Sequence, residues 1–273
     1  MKKLLSLLFA FQILFTAEAV LAEAAEEPAF SGVLAEETAE ARTYADKLQE
    51  RFGVTILFGS ECLNAADTVS FAIEAEIPGR ITLQDILGFN TVSDLEILEK
   101  ALEQYPPEVF SAMKNEQAPN GFRFLICDRI VNNDPEQGSV GYASCDGTYY
   151  NIFLAHSSYD PFAVHHEIWH EMENYIYWKY PGAFLIWDSL NPENFEYSNS
   201  YSSYGSGYDP SFFAREYGTS GASEDRATIA EAVFYSNREE WFSRRPGVRK
   251  KLEAMNLALI SALGIQFNWK NHP

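Results

Sequence analysis

Cysteine is scarce in this chain: Cys62, Cys127 and Cys145 are the whole set among 273 residues. None stands in a CxxC spacing, which excludes a thiolate zinc knot as the organising device. An odd count allows at most one bridge and a free thiol. Cys127 with Cys145, both in a strand-rich stretch, is the expected pair, and three unpaired buried thiols are the alternative. Cations are few as well, with 20 Lys and Arg against 39 Asp and Glu and a net charge of −19. A surface of that sign repels phosphate backbones, which excludes nucleic acid as the partner and is silent about any other substrate. After the N-terminal residues no apolar run approaches the ~20 residues that a bilayer span requires. No internal repeat is evident.

The N-terminus is built differently from the rest. Lys2 and Lys3 precede an apolar run over residues 4–16 that only Ser6 and Gln12 interrupt, and Val20-Leu21-Ala22 offers a cleavage site. Residues 1–22 therefore read as a secretory signal peptide, and the mature chain is expected to be secreted, without a membrane span. No cysteine follows the run, so no lipid anchor is expected. Losing Lys2, Lys3 and Glu18 moves the net charge from −19 to −20. Hydrophobic residues at 47% and aromatics at 15% suit a folded chain with one good core, acting as a monomer.

Residues 36–51 carry apolar positions at helical spacing, and Gly53 follows them. Residues 54–58 and 71–77 read as strands, 91–104 as a helix closed by Pro106-Pro107, and 110–114 as a second short helix. The segments 122–131, 138–145 and 148–155 are rich in β-formers, with Asp146-Gly147 turning the last two into a hairpin. The next helix is clearly punctuated: Asp160 caps it, Pro161 opens it and Pro181-Gly182 lies past its end. Val164, Ile168, Met172 and Tyr175 mark its core-facing side. A Ser/Tyr/Gly stretch over 197–208 reads as a loop, and 223–235 and 247–263 as helices. The order is α+β first, then mostly α.

On the punctuated helix the chain reads His165-His166-Glu167-Ile168-Trp169-His170. His166 and His170 are four apart, so their rings project from one face within reach of a single ion, and Glu167 lies one step round. This is the HExxH arrangement. Zinc lowers the pKa of its water toward ~7, and a carboxylate takes the proton as hydroxide attacks a carbonyl. His165 lies round the helix and reads as packing, and His156 at a strand end reads as structural. Catalytic zinc needs a third protein ligand. Glu224, Asp225 and Glu231 are the candidates on the following helix. Glu224 and Glu231 share a face but stand about 10 Å apart along the axis, so only one reaches the metal and spacing does not choose.

The run His166 to His170, followed by Tyr217-Gly218 and then Glu224-Asp225-Arg226-Ala227, resembles the gluzincin peptidases of the anthrax lethal-factor type and their secreted bacterial relatives. In that group a Tyr-Gly pair stands seven residues before the glutamate ligand, as Tyr217 stands before Glu224 here. The resemblance implies a zinc site of His166, His170 and Glu224, with Glu167 as base and Tyr217 as hydrogen-bond donor to the oxyanion. It implies a zincin-like α+β fold over 23–273, with an N-terminal lobe (23–180) carrying the HExxH helix and a helical C-terminal lobe (181–273). The substrate it implies is a peptide or protein. The likeness covers about residues 150–235. One position departs from it: the family often has a second carboxylate four residues after the ligand, and this chain has Thr228. A carboxylate there orients a ligand histidine, so Asp225 or Glu231 has to substitute, or the chain is a degenerate relative that binds zinc or a partner without cleaving.

Overall fold

The computed structural model describes residues 33–58, 61–62, 91–127, 130–131, 138–156, 158–199 and 207–264. The signal peptide expected over 1–22, the strand expected over 71–77 and the middle of the Ser/Tyr/Gly loop lie outside the described residues.

Helix α1 (Val33–Phe52) places Ala41, Ala45, Leu48 and Phe52 on one buried face. Gly53 ends it at φ +67°, a left-handed turn that glycine adopts without a Cβ penalty, and its N–H donates to Gln49 O at 2.9 Å. The chain then enters strand β1 (Thr55–Phe58), whose Ile56 N–H donates to Gln49 Oε1 at 2.8 Å. Helix α2 (Thr91–Leu102) buries Leu95, Leu98 and Leu102 as their spacing predicts. Helix α3 (Glu108–Ala112) starts two residues earlier than expected, because Pro107 already holds helical φ at its N-cap (−55°).

Strands β2 (Phe122–Cys127), β3 (Ile130–Val131), β4 (Gly138–Ser139), β5 (Gly141–Cys145) and β6 (Tyr150–Ala155) follow. The main sheet has the order β1-β2-β6-β5, parallel except for β5, which runs antiparallel to β6 at the edge. Both central strands are buried along their whole length, which explains their near-continuous apolar sequence. Period-two alternation splits them. Phe122, Phe124, Ile126, Tyr150, Ile152 and Leu154 join the main core, whereas Leu125, Cys127, Phe153 and Ala155 pack with Cys62 and Ile130 on the opposite face. The polar exceptions are paired: Arg123 donates to Asn151 Oδ1 at 2.7 Å and to Asp146 Oδ2 at 2.9 Å.

The β5–β6 hairpin is present, with a connection of four residues. Asp146 Oδ1 accepts from the N–H groups of Thr148 (2.8 Å) and Tyr149 (2.7 Å), and Gly147 takes φ +82°. That side-chain cap delays β6 until Tyr150. The expected Cys127–Cys145 bridge is overturned. All three cysteines are free thiols, and Cys127 is in register with Ala155 whereas Cys145 is in register with Tyr150. Those partners are five residues apart on β6, roughly 16 Å, far beyond the reach of a disulfide.

The second half is helical. Helices α4 (Pro161–Lys179), α5 (Ala222–Val233), α6 (Arg238–Ser243) and α7 (Pro246–Leu263) are joined with two 3-10 turns, Trp187–Leu190 and Glu216–Thr219. Helix α6 has no counterpart in the sequence reading, since six residues are too few for an apolar period to register. The fold class is α+β, as expected, and no helix among the described residues is long and apolar enough to cross a membrane. Helix α4 is the exception to simple amphipathicity. It packs on β5 and β6 and is covered by α5 and α7. Val164, Ile168, Met172 and Tyr175 are buried, but so are His165, His166, Glu167, Glu171 and Glu173.

Candidate metal centre

Asp160 sets the phase of α4. It sits at the N-cap in extended conformation (φ −123°, ψ 175°), and its Oδ1 accepts from the Ala163 N–H at 2.9 Å. From that start His166 and His170 project from one side, with ring centroids 4.8 Å apart. The first turn of α5 packs across them and presents Glu224. Glu224 Oε2 lies 2.9 Å from His166 Nε2 and 3.5 Å from His170 Nε2. Ligand atoms of a tetrahedral zinc with bonds of 2.0–2.1 Å stand about 3.3 Å apart, so these separations fit one zinc ion. All three donor atoms lie within 4.8 Å of one another, and among the described residues this is the group of His, Cys, Asp or Glu able to hold one cation.

The electrostatics suit a cation. Burial pushes the Glu224 carboxyl up, but hydrogen bonds from His166 and His170 and their charge outweigh it and hold it well below the ordinary carboxylate range. Burial pushes His166 down, yet the hydrogen bonds to Glu224 and Glu231 dominate and raise it to about 10. Glu224 and His166 thus share a proton that a cation would displace on binding.

Each histidine of the group is also held by its other nitrogen. His166 Nδ1 lies 2.7 Å from Glu231 Oε1, and His170 Nδ1 lies 3.0 Å from Ser223 Oγ. The expectation that one glutamate of α5 reaches the metal group meets a specific geometry: Glu224 faces Nε2 of His166, and Glu231 faces Nδ1 of the same ring. Asp225 turns away, toward Lys251 Nζ at 2.7 Å. Ser223 escaped the sequence reading, although it directly precedes Glu224.

Glu167 is buried against the edge strand. A Cβ built on Gly141 would lie 2.6 Å from Glu167 Oε1, so β5 approaches this carboxylate as closely as glycine permits. Burial raises the Glu167 carboxyl above its ordinary value, with His166 and His170 pulling the other way. Tyr217 is half-buried in the second 3-10 turn, its ring centroid 5.9 Å from that of His166. Gly218 lets that turn press on α5, because a Cβ there would meet Thr228 Oγ1 at 2.9 Å and Asp225 Cα at 3.2 Å. Thr228 therefore serves the packing of the Tyr217 turn, and its hydroxyl donates to Asp225 O at 2.9 Å.

The remaining histidines of the described chain lie outside the three-residue group. His165 Nδ1 is 2.9 Å from Tyr105 OH, and its ring stacks on Phe234 with centroids 3.6 Å apart. Burial drives its pKa down to about 3, so it is a neutral packing residue. His156 pairs with Asp94 after the end of β6.

No family model matches the chain, and no curated protein matches it either. Among solved structures it is similar to the crystal structure of a candidate zinc-binding metallo-peptidase from Bacteroides caccae, with a TM-score of 0.50 and 14% identity. The match covers 86% of this chain and 89% of that one. At this identity the likeness is one of fold alone.

Proposed function

We propose that this chain is a zinc-dependent peptidase, exported by the signal in residues 1–22 and acting on peptide or protein substrates. The observation that carries the reading is the convergence of one donor atom each from His166, His170 and Glu224 within 4.8 Å, contributed by two helices. The donor set of two imidazoles and one carboxylate is that of a catalytic zinc site with an open fourth position. When bound, zinc supplies Lewis acidity that polarises a carbonyl and lowers the pKa of water toward ~7. Glu167 is the base that takes the water proton and returns it to the leaving amine. Its raised pKa, caused by burial, suits that shuttle. Tyr217 donates a hydrogen bond where negative charge develops on the carbonyl oxygen.

The test pairs elemental analysis with a peptide-library digest of purified protein, with and without a chelator. Glu167→Gln should keep stoichiometric zinc and lose about 100-fold or more in cleavage rate; a fully active variant would show that another group is the base. The second reading, a zinc-binding relative without activity, is motivated by Thr228 and predicts retained zinc with no chelator-sensitive cleavage of any peptide.

A further inference from the structure

Glu231 is unused by the reaction just described, yet it is 2% exposed and makes two charged contacts. Its Oε1 lies 2.7 Å from His166 Nδ1. Its Oε2 lies 2.9 Å from Arg215 Nη1, a charge contact without hydrogen-bond alignment. Arg215 is half exposed, stands two residues before Tyr217, and holds its guanidinium carbon 6.0 Å from the Tyr217 ring centroid. The position four residues after Glu224, where the peptidases that this chain resembles often carry a carboxylate, is filled by Thr228, whose hydroxyl is turned back to Asp225 O.

We infer that Glu231 is a positioning residue with two tasks: one oxygen fixes the tautomer of His166, and the other anchors the Tyr217 turn through Arg215. The inference rests on the zinc-peptidase reading and adds a residue to it. An imidazole offers a lone pair from Nε2 when its proton resides on Nδ1. A carboxylate can only accept, so Glu231 holds that proton in place and raises the basicity of the ring. Seven residues of spacing succeed where four would be usual because the His166 ring lies between the first and last turns of α5. Its two nitrogens thereby face glutamates about 10 Å apart along the axis. The same carboxylate then ties the metal-bearing helix to the segment that delivers the oxyanion donor.

The test compares the full chain with Glu231→Ala, Glu231→Gln and Arg215→Met. Zinc affinity is read by competition with a chelating dye, and kcat and KM on a peptide that the wild type cleaves. Glu231→Ala should weaken zinc binding about 10- to 100-fold. Glu231→Gln keeps an acceptor but loses its charge, and should fall between alanine and wild type. Arg215→Met should leave zinc affinity unchanged and lower kcat at constant KM. Wild-type zinc affinity in both Glu231 variants would overturn the inference. So would an Arg215→Met variant that loses zinc as strongly as Glu231→Ala, since the pair would then be a structural brace. Should Glu231→Ala fail to fold, the isosteric Gln variant decides, and wild-type affinity there overturns the inference. Wild-type protein that binds no zinc would sink the peptidase reading first, and this inference with it.

Discussion

Gly141→Ala separates the placement of the base from the binding of the metal. Gly141 opens β5 in register with Leu154, and it is not among the glycines with positive φ, so alanine suits its backbone. The added methyl would lie 2.6 Å from Glu167 Oε1, 2.7 Å from Cγ and 2.9 Å from Cδ. Carbon contacts settle near 3.5 Å, so the Glu167 side chain has to retreat by roughly 0.8 Å. It can do so, because the clashing atoms belong to a flexible side chain and not to backbone. The proposed metal ligands His166, His170 and Glu224 are not among the nearest contacts of the new methyl. A misplacement of ~1 Å at a reacting group costs on the order of 100-fold, or about 2.7 kcal/mol of barrier. The expected variant is folded, fully zinc-loaded and about 10- to 100-fold slower in kcat. Elemental analysis, thermal unfolding and kcat on one cleavable peptide are the measurements. Wild-type kcat in a folded, metallated Gly141→Ala protein would refute Glu167 as the base in its observed position.

Three further outcomes are expected. Glu224→Ala should lose zinc on dialysis, whereas a Glu224→Ala protein that keeps stoichiometric zinc, beside a Glu231→Ala protein that does not, would make Glu231 the third ligand. Lys251→Met leaves Asp225 buried and short of its cation, with both side chains fully enclosed at 2.7 Å in the wild type. Denaturant unfolding should register a loss of about 3–5 kcal/mol, much of it recovered by adding Asp225→Asn; a single variant within about 1 kcal/mol of wild type would contradict the pairing argument. The third concerns pH in the metal-free protein. His165 titrates at about 3 in the fold against 6.5 in a free chain, because burial disfavours its charge. Below pH 6.5 the unfolded chain binds a proton that the folded one refuses. Stability from this residue is therefore complete above pH 6.5 and falls by up to ~1.4 kcal/mol per pH unit toward pH 3. His165→Phe, which keeps a ring against Phe234, should show a shallower acid slope, and parallel curves would refute the assignment.

What was legible in the sequence was local. Asp160 and Pro161 announce α4, and HExxH at helical spacing places two rings on one side, because cap chemistry and the 3.6-residue period operate within a few residues. The choice among Glu224, Asp225 and Glu231 was illegible from spacing, since it depends on how α5 crosses α4. Only the likeness of Tyr217-Gly218 to a family pattern singled out Glu224. The failed Cys127–Cys145 pairing has the same origin: both lie in strands, but strand register decides distance, and composition carries no register. Ser223 and Gly141 were missed because each acts through a contact with a distant element, His170 on α4 and Glu167 beneath β5.

Three successive residues of α5 show how the site is held. Glu224, Asp225 and Arg226 are all buried, point in different directions about 100° apart, and each has its own partners. Glu224 meets the imidazoles of α4. Asp225 Oδ2 accepts from Lys251 on α7, from Tyr197 OH at 2.7 Å and from Trp187 Nε1 at 3.2 Å. Arg226 forms a two-pronged pair with Glu173, again on α4, and lies 4.5 Å from the Phe184 ring centroid. Buried pairs add little net stability, but unpairing one costs about 3–5 kcal/mol. Any rotation of α5 that swung Glu224 away from His166 and His170 would unpair Asp225 and Arg226 together. The acidic and basic residues that follow Glu224 thus fix the angle of the carboxylate by making every other angle expensive, and a candidate metal site assembled from two separate helices depends on that restraint more than on any single contact between its donors.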